Sequence, residues 1–371
     1  MRYITAIGTA NPPNRFSQPL IAEFMLRAME LSNGDERKLK AIFRASGIEY
    51  RHSVLDDYGK VSDFTFYADT VGLEPFPGTA RRLQVFRQHA LQLSIASFQN
   101  MLLSCPGFRP GDITHVIVVC CTGMYAPGLD IDLVNSLKLS STVQRTAINF
   151  MGCHASFNAL KVAHALCSSD PGAKVLIVCT EICSIHFQRK GNEDNLLANA
   201  LFADGSASVL VEGSTQSFLR LKIENFHSDL APEGESDMAW TIGDLGFQMR
   251  LSSYVPGLIR KGIGSLIKTL LEKVSADLSQ IQHFAIHPGG KKILSVIEEE
   301  LKISKSQNHA AYYVLKNFGN MSSPTVLFVL REIVRNLNGA NQGERVLGVA
   351  FGPGLTLESM ILRIENAMGD A

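Results

Sequence analysis

The segment INFMGCHASFNALKVAHAL, residues 148–166, decides how the surrounding chain folds. Its apolar start predicts a strand that ends at Met151, and Gly152 allows the sharp turn that must follow. The apolar residues that come next recur at positions 157, 160, 163 and 166, a spacing that places them on one face of a helix. The segment therefore predicts a strand, a tight turn and a helix, with Cys153 at the start of the helix.

A cysteine at that position is a candidate nucleophile. The positive end of a helix and its unpaired N–H groups lower the pKa of a nearby thiol, so we expect Cys153 to be ionised near neutral pH. Cysteines more commonly serve as small buried hydrophobic residues. We interpret the other six cysteines in this way, except where a resemblance described below places them in a cavity.

Short apolar runs elsewhere in the chain are typical of strands that are buried on both faces. They are residues 115–121, 174–179, 283–286 and 345–351. Amphipathic stretches that predict helices lie at residues 155–167, 291–301 and 324–337. This pattern predicts an α/β fold with layered mixed sheets and helices. A chain of 371 residues, of which 46% are hydrophobic, is large enough to bury two cores.

Two pairs of similar segments indicate a duplicated unit. The pairs are DITHVIVVCCTG (112–123) with LSQIQHFAIHPGG (278–290), and GAKVLIVCTE (172–181) with GERVLGVAFGPG (343–354). The members of each pair follow one another in the same order and at similar spacing. We therefore predict two packed halves, residues 1–212 and 213–371, that meet at the small polar residues 212–216.

The composition excludes several classes of protein. Lysine plus arginine and aspartate plus glutamate both number 35, so no overall charge attracts nucleic acid or an anionic membrane. No apolar run reaches the length of a membrane span. The first apolar stretch is too short for a signal peptide because Pro12 and Pro13 end it. The seven cysteines show no disulfide pattern, which favours a reducing cytoplasm.

Two further candidate residues lie where a strand or loop enters a helix. His287 ends the apolar run of HFAIHPGG and is followed by a glycine-rich turn. Asn320 precedes the sequence Ser-Ser-Pro at 322–324, which is typical of the start of a helix. Either side chain could simply cap a helix. Because active sites on open α/β sheets lie at this edge, we predict that both residues share one site with Cys153.

These three residues, in these contexts, resemble the catalytic set of the type III polyketide synthases, the chalcone and stilbene synthase-like enzymes. The resemblance covers nearly the whole chain, through GTANPP (8–13), FRASGIEYRHSVL (43–55), CTGMYAPG (121–128), ALFADGSAS (200–208), VPGLI (255–259), IHPGG (286–290), GNMSSPTVLF (319–328) and FGPGLTLE (351–358). It implies a thiolase-like fold with αβαβα layers and a homodimer. It also implies acyl-CoA and malonyl-CoA as substrates, with no cofactor and no metal.

The resemblance implies a chemistry as well. Cys153 holds an acyl starter as a thioester, and neutral His287 and Asn320 stabilise the enolate that forms when malonyl-CoA loses carbon dioxide. Repeated condensation builds a polyketide that cyclises to a pyrone or a resorcinol-type ring. His287 is also expected to pair with Cys153 as an imidazolium–thiolate in the resting state.

Further residues around the substrate follow from the same resemblance. Phe202 is the first of two bulky residues between the coenzyme A tunnel and the cavity. The second falls on Met249, where the chalcone synthase-like enzymes have phenylalanine, and a small shift in the alignment would place Phe247 there. The other cavity positions are Cys121, Thr122, Cys183, His186, Ser322, Phe351, Gly352 and Pro353. Cysteine at position 121 is familiar from bacterial members, and soft sulfur side chains favour a flexible aliphatic starter.

A basic entrance for the phosphates of coenzyme A is expected at Lys38, Lys40 and Arg44. Such a run of charge is also typical of an ordinary solvated helix face. Elsewhere, the run VLIVCTEICSIHF contains two cysteines and a histidine, at 179, 183 and 186, which are ligand types that suit zinc. We predict no metal site there, because no turn separates these residues and a fourth ligand is missing.

Two rival functions use the same residue types. A β-ketoacyl synthase III-like or hydroxymethylglutaryl-CoA synthase-like enzyme shares the fold and a cysteine with a histidine. The first has a Gln-Ala-Asn run where this chain has Pro-Gly-Gly at 288–290, and the second needs an additional carboxylic acid. The other rival is a catalytically silent acyl-binding homologue, against which the presence of all three catalytic residue types argues.

Overall fold

We describe the fold from a computed structural model, which covers residues 2–29, 31–214 and 219–366. The strands of these residues are β1 (Tyr3–Ala10), β2 (Asn14–Ser17), β3 (Tyr50–Ser53), β4 (His115–Cys120), β5 (Gln144–Asn149), β6 (Lys174–Ile182), β7 (Asp204–Glu212), β8 (Leu219–Leu230), β9 (Met238–Gly243), β10 (Gly246–Leu251), β11 (His283–Ile286), β12 (Arg345–Gly352) and β13 (Thr356–Asn366). The α-helices are α1 (Gln18–Ala28), α2 (Asn33–Ala45), α3 (Thr79–Leu102), α4 (Leu129–Ser136), α5 (Ala155–Ser169), α6 (Glu193–Leu201), α7 (Val255–Lys273), α8 (Lys291–Leu301), α9 (His309–Phe318) and α10 (Thr325–Arg335).

Nine strands form one mixed sheet in the order β11-β12-β13-β8-β1-β7-β6-β4-β5. The first half of the chain contributes the strands from β1 to β5 in this order, and the second half contributes the strands from β11 to β8. These two strands pair only at Tyr3 and Ile4, opposite Lys222 and Leu221. The sheet therefore consists of two half-sheets that are joined at one short contact.

Helices α5 and α10 pack between the two half-sheets. Helix α5 contacts β4, β6 and β7 of one half-sheet and β13 of the other, and α10 contacts β11 and β12 as well as β1 and β7. Helix α3 covers the outer face of the first half-sheet, and α7 covers the outer face of the second. This order of helix, sheet, helices, sheet and helix gives the layers that were predicted.

The predicted repeats occupy equivalent places in the two halves. The first members of the two pairs form the parallel strands β4 and β6, with His115 opposite Val175. The second members form the parallel strands β11 and β12, with His283 opposite Val346. The boundary at residue 212 stays a prediction. Part of the predicted junction, residues 215 and 216, lies outside the described residues.

The structure corrects the predicted bounds of the strand and the helix on either side of Cys153. Strand β5 ends at Asn149 rather than at Met151. It lies at one edge of the sheet, and nearly all of its residues are exposed. The α-helix begins at Ala155, after one 3₁₀ turn from Gly152 to His154. Cys153 therefore lies in this short turn rather than in the first turn of the α-helix.

Among the described residues, no helix combines the length and the apolar character that a membrane crossing requires.

Candidate active site

Cys153, His287 and Asn320 line one closed cavity, although more than 130 residues separate the first from the second. Cys153 precedes α5, His287 follows β11, and Asn320 lies between α9 and α10. The centre of a water molecule can occupy about 30 Å³ of this cavity, which is more than the minimum that one water molecule needs. The fold thus brings the three predicted residues to one small chamber between the two halves.

Cys153 stands on a tightly constrained backbone. Gly152 has a φ of 77°, and a Cβ atom at this position would lie 2.5 Å from Cδ of Pro353. Two residues earlier, Phe150 has a φ of 62°, which is uncommon for a bulky residue. The left-handed backbone at these two positions turns the chain from the edge strand into the cavity. The Cys153 thiol then points towards Asn320, with 3.9 Å between Sγ and the amide oxygen Oδ1.

Asn320 does not cap α10, since the N-cap residue of that helix is Pro324. Its Oδ1 accepts hydrogen bonds from the Ser322 backbone N–H at 2.8 Å and from the Thr325 hydroxyl at 3.4 Å. These donors fix the orientation of the amide. Within the described residues, the amide nitrogen makes no hydrogen bond. Asn320 therefore keeps a free N–H donor beside the Cys153 thiol.

The backbone of Asn320 is attached to the first half of the chain. Its N–H donates to the Leu201 carbonyl at 2.9 Å, and its carbonyl accepts from the Ala203 N–H at 2.9 Å. Phe202, between these two partners, lines the cavity. This short bridge explains how a residue of the second half lies beside the nucleophile of the first.

The protonation states differ from the prediction for Cys153. Burial raises the pKa of the Cys153 thiol to about 11, and this effect outweighs the hydrogen bonding with Ser322 and Asn320 that lowers it. Burial also lowers the pKa of His287 to about 3. Among the described residues, neither ring nitrogen of His287 has a hydrogen-bond partner. Burial thus favours a neutral thiol and a neutral imidazole, which is opposite to the direction expected for Cys153, and the imidazolium–thiolate pair stays a prediction.

A buried carboxylate that the sequence analysis missed supports the cavity. Oε2 of Glu181 accepts hydrogen bonds from the Cys121 N–H at 2.9 Å and the Thr122 hydroxyl at 2.8 Å, and Oε1 accepts from the Ser323 hydroxyl at 2.5 Å. Burial is the main cause that raises the pKa of Glu181 to about 7. The sequence did contain a signal for this carboxylate, which is the single acid in the apolar run VLIVCTEI. A strand that is buried on both faces rarely contains a charged residue unless that residue has a partner.

Most of the predicted cavity positions do line the chamber. They are Cys121, Thr122, Cys183, Phe202, Met249, Ser322, Phe351 and Pro353. Gly352 instead lies against the His154 ring, where a Cβ atom would come within 1.9 Å of Nδ1. The chamber wall also contains Met238, Trp240 and Leu251 of the β9–β10 hairpin, which the sequence analysis did not identify.

Phe247 and His186 do not face the chamber. The Phe247 N–H donates to Nδ1 of His186 at 3.0 Å, so the other ring nitrogen, Nε2, carries the proton and donates to the Thr122 carbonyl at 2.6 Å. The two rings stack with 4.4 Å between their centroids. Met249, not Phe247, thus lines the chamber, and its assignment as the second bulky residue stays a prediction. Both ring nitrogens of His186 are hydrogen-bonded to backbone groups.

The alternative of a zinc site finds no support in the geometry. Across residues 2–29, 31–214 and 219–366, no three side chains of histidine, cysteine, aspartate or glutamate are grouped so that they could hold a metal ion. Cys179 is buried inside β6, whereas Cys183 lines the chamber and His186 is bonded to backbone.

The predicted basic residues lie on the surface of α2. Lys38, Lys40 and Arg44 are all exposed, and Lys38 lies 3.8 Å from an Asp35 carboxylate oxygen. The end of this helix approaches α8, since a Cβ atom at Gly47 would lie 3.3 Å from the Lys291 side chain. Lys291 follows the glycine turn after His287, so α2 and the start of α8 together form a basic rim.

Comparison with known proteins agrees with this geometry. The family described as "Chalcone and stilbene synthases" matches the chain with its N-terminal domain over residues 2–215 and with its C-terminal domain over residues 222–365. The alpha-pyrone synthesis polyketide synthase-like Pks18 of Mycobacterium tuberculosis is 29% identical over 97% of this chain and 91% of its own. A putative chalcone synthase of Bacillus subtilis is also 29% identical, over 99% of this chain and 100% of its own.

Solved structures are similar over the same extent. The polyketide synthase PKS-I of the brown alga Ectocarpus siliculosus superimposes with a TM-score of 0.90 and 28% identity, covering 98% of both chains. The C-terminal type III polyketide synthase domain of Steely1 from Dictyostelium gives a TM-score of 0.89 and 28% identity, covering 99% of both chains. The predicted thiolase-like fold is thereby confirmed.

The raised pKa of Glu181 predicts a specific pH dependence of stability. The folded protein holds the proton of Glu181 up to about pH 7, whereas the unfolded chain releases it near the ordinary value of 4.5, so burial of this acid destabilises the fold increasingly as the pH rises through that window. We expect Glu181→Gln to gain roughly 3 kcal/mol relative to the wild type between pH 4.5 and pH 8.

Urea unfolding of both proteins at several pH values measures this difference. Glu233→Gln is the matched control, because Glu233 is exposed and its substitution should give a pH-independent difference. A difference between Glu181→Gln and the wild type that stays constant from pH 4.5 to pH 8 would contradict the assignment.

Proposed function

This chain belongs to the chalcone and stilbene synthase family of type III polyketide synthases, and from that premise we propose that it loads an acyl-CoA starter on Cys153 and extends it with malonyl-CoA. The family makes it an acyltransferase. The observation that carries the proposal is the convergence of Cys153, His287 and Asn320 on one closed chamber. The product proposed is a polyketide that cyclises to a pyrone or a resorcinol-type ring.

Loading begins when the Cys153 sulfur attacks the starter carbonyl. Because burial favours the neutral thiol, the proton leaves as the C–S bond forms. His287 is the base in the same chamber, and both of its ring nitrogens lack a partner among the described residues. Coenzyme A departs as the thiol and takes the proton from the imidazole, which returns His287 to its neutral state.

Extension needs donors for a developing enolate. When the malonyl group loses carbon dioxide, the C–C bonding pair moves onto the thioester carbonyl, and the negative oxygen accepts hydrogen bonds from His287 and from the free N–H of Asn320. Donors that are already in place stabilise this charge most, because nothing must reorganise as it forms. The enolate carbon then attacks the Cys153 thioester, and the lengthened chain leaves on coenzyme A.

The entrance for coenzyme A is proposed at the basic rim. Lys38, Lys40 and Arg44 of α2 and Lys291 of α8 are exposed there. The rim borders the glycine turn at residues 289–290, and Gly289 also lines the chamber. Phosphates bound by these cations would direct the thioester end of the substrate inwards, past Phe202 and Met249.

The reaction needs no further reactant. Loss of carbon dioxide leaves the carbanion on the thioester fragment, and thioester exchange conserves the acyl bond energy, so we propose that the enzyme works without a cofactor. We also propose a cytoplasmic location, which is supported by the need for coenzyme A thioesters and by seven cysteines that all remain unpaired.

A homodimer is proposed through the edge strand β5. Its backbone is exposed along nearly the whole strand, which leaves one row of N–H and C=O groups available for pairing with a second copy. Light scattering should therefore give twice the chain mass of 40.6 kDa. Thr146→Lys places like charges across such a contact and should yield the monomer, whereas Thr241→Lys on the exposed β9 should not. A monomeric wild type would contradict this proposal.

The nucleophile is tested by Cys153→Ala. We expect this variant to form neither polyketide nor acyl-enzyme, because the attachment atom is gone, yet to retain decarboxylation of malonyl-CoA, because both enolate donors remain. Mass spectrometry of the protein and of the products measures the acyl-enzyme, the polyketide and the decarboxylation. The reactions contain only acyl-CoA, malonyl-CoA and EDTA. Cys167→Ala, which removes a buried thiol from the same helix region, is the control. Normal extension by Cys153→Ala would exclude Cys153 as the attachment site.

The donors are tested by His287→Ala and Asn320→Ala, with Asn317→Ala, a half-buried asparagine outside the chamber, as the control. Each of the first two should lower the rate of malonyl-CoA decarboxylation by roughly 10²–10³-fold, the usual effect of losing one oxyanion donor. Because the pKa of His287 lies at about 3, its protonation should not reduce the wild-type rate between pH 5 and pH 8. Wild-type decarboxylation rates in either variant would refute the assignment.

A further inference from the structure

The last carbonyl groups of an α-helix need hydrogen-bond donors from outside the helix. At the end of α6, Nη1 of Arg51 donates to the Asn199 and Phe202 carbonyls, at 2.8 Å and 2.7 Å. Nε2 of Gln18 donates to the Ala200 carbonyl at 2.8 Å, and Oε1 of Gln18 accepts from Nε of Arg51 at 2.9 Å. Arg51 and Gln18 thus act together on the end of this helix, and we call the pair the α6 clamp.

The Leu201 carbonyl, which lies between the carbonyls that the α6 clamp holds, has a different partner. It accepts the backbone N–H of Asn320 at 2.9 Å, and the Asn320 carbonyl accepts the Ala203 N–H at 2.9 Å. The backbone of Asn320 is therefore placed by the end of α6. The amide side chain is oriented separately, by the Ser322 N–H and the Thr325 hydroxyl.

Arg51 also lies directly against the loop that carries Asn320. Gly319 has a φ of 71°, and a Cβ atom at this position would lie 3.0 Å from Cγ of Arg51 and 3.0 Å from the Leu201 carbonyl oxygen. Glycine permits both the left-handed backbone and this close approach. One arginine side chain thus contacts the end of α6 through its guanidinium and the Asn320 loop through its stem.

The charge of Arg51 is directed at these carbonyl groups. The side chain is buried, with 5% of its surface exposed, and burial lowers its pKa to about 10, so it stays protonated near neutral pH. A cation at the C-terminal end of a helix also interacts favourably with the helix dipole. Within the part of the chain that the structure describes, the hydrogen bonds of the guanidinium go to Gln18 and to the two carbonyls, and Nη2 has no partner.

We infer that Arg51 is a positioning residue for decarboxylation, which acts through the end of α6 and holds Asn320 where its amide N–H meets the developing enolate oxygen. This inference rests on the proposed function. Cys153 and His287 lie at the start of α5 and the end of β11, and none of the hydrogen bonds of Arg51 reaches either element. Arg51 should therefore support decarboxylation without supporting the loading of a starter.

Arg51→Lys tests the inference, because lysine keeps the charge but loses the planar fork that donates to three groups at once. The kcat of malonyl-CoA decarboxylation should fall by up to about 10²-fold, the scale on which a displacement of about 1 Å lowers catalysis, and no further than in Asn320→Ala. Acylation of Cys153 by an acyl-CoA without malonyl-CoA, followed by mass spectrometry, should keep the wild-type rate. Arg345→Lys is the control, since Arg345 is the first residue of β12 and donates to Glu224 at 2.8 Å.

Double variants distinguish positioning of Asn320 from a general structural role. In Asn320→Ala the α6 clamp has no amide left to position, so adding Arg51→Lys should change the decarboxylation rate by less than about twofold. In His287→Ala the same addition should lower the rate by the full factor seen in the wild type. A merely structural role would lower the rates of both double variants alike.

Gln18→Met gives a second and milder test, which also decides the outcome if Arg51→Lys fails to fold. The substitution removes the donor to the Ala200 carbonyl and the acceptor for Nε of Arg51 at a similar side-chain volume. We expect a smaller loss of decarboxylation with unchanged acylation of Cys153. This loss should also vanish in the Asn320→Ala background.

The outcomes separate the inference from the function on which it rests. A wild type that is not acylated and does not decarboxylate malonyl-CoA would contradict the proposed function. A wild-type rate in Asn320→Ala would refute the role of that amide and the inference with it. Where Asn320→Ala is slow, the inference alone is overturned if the folded clamp variants decarboxylate at the wild-type rate, lose acylation equally, or lose the same factor in the Asn320→Ala background.

Discussion

The carboxylate of Glu181 is the interaction on which the site depends, because it holds loops from both halves of the chain at one point. It accepts from the Cys121 backbone and the Thr122 hydroxyl in the first half and from Ser323 in the second. A buried carboxylate is tolerated only where donors surround it. Loss of the Ser323 hydroxyl would leave Oε1 without its donor, so the need to satisfy this acid keeps Ser322 and Ser323 close to the nucleophile.

Burial gives the chamber a second property, which is its preference for neutral groups. The same desolvation that raises the pKa of Cys153 lowers that of His287. A neutral imidazole can donate to an enolate without holding a positive charge that would also bind the carboxylate of intact malonyl-CoA. The chamber thus favours the chemistry in which charge appears only transiently, at the oxygen that faces the donors.

Local pattern predicted the parts of the structure that local forces determine. Strand β11 and helix α8 have the predicted bounds, because the apolar run ends at His287 and a glycine turn separates it from the helix. The convergence of Cys153, His287 and Asn320 followed from their shared position at helix entrances and from the family resemblance. The roles assigned to them stay predictions until the variants are measured.

What the sequence could not predict depends on partners that are distant along the chain. The direction of the Cys153 pKa shift is set by burial in the chamber rather than by the nearby helix end. His186 was expected to line the cavity, but the Phe247 N–H, 61 residues away, takes its ring nitrogen. The place of Trp240 in the chamber wall was not predictable, because nothing in its flanking sequence shows that its indole reaches the Cys121 carbonyl, 119 residues earlier.

The exposure of β5 has a consequence for how the enzyme is made in a cell. A newly synthesised subunit presents a bare strand edge, and such edges recruit other chains into non-native aggregates. Only three residues connect that edge to Cys153, and two of them, Phe150 and Gly152, have a left-handed backbone. Misassociation at the edge would therefore distort the nucleophile directly, so the yield of active enzyme would depend on how fast correct assembly competes with aggregation during synthesis.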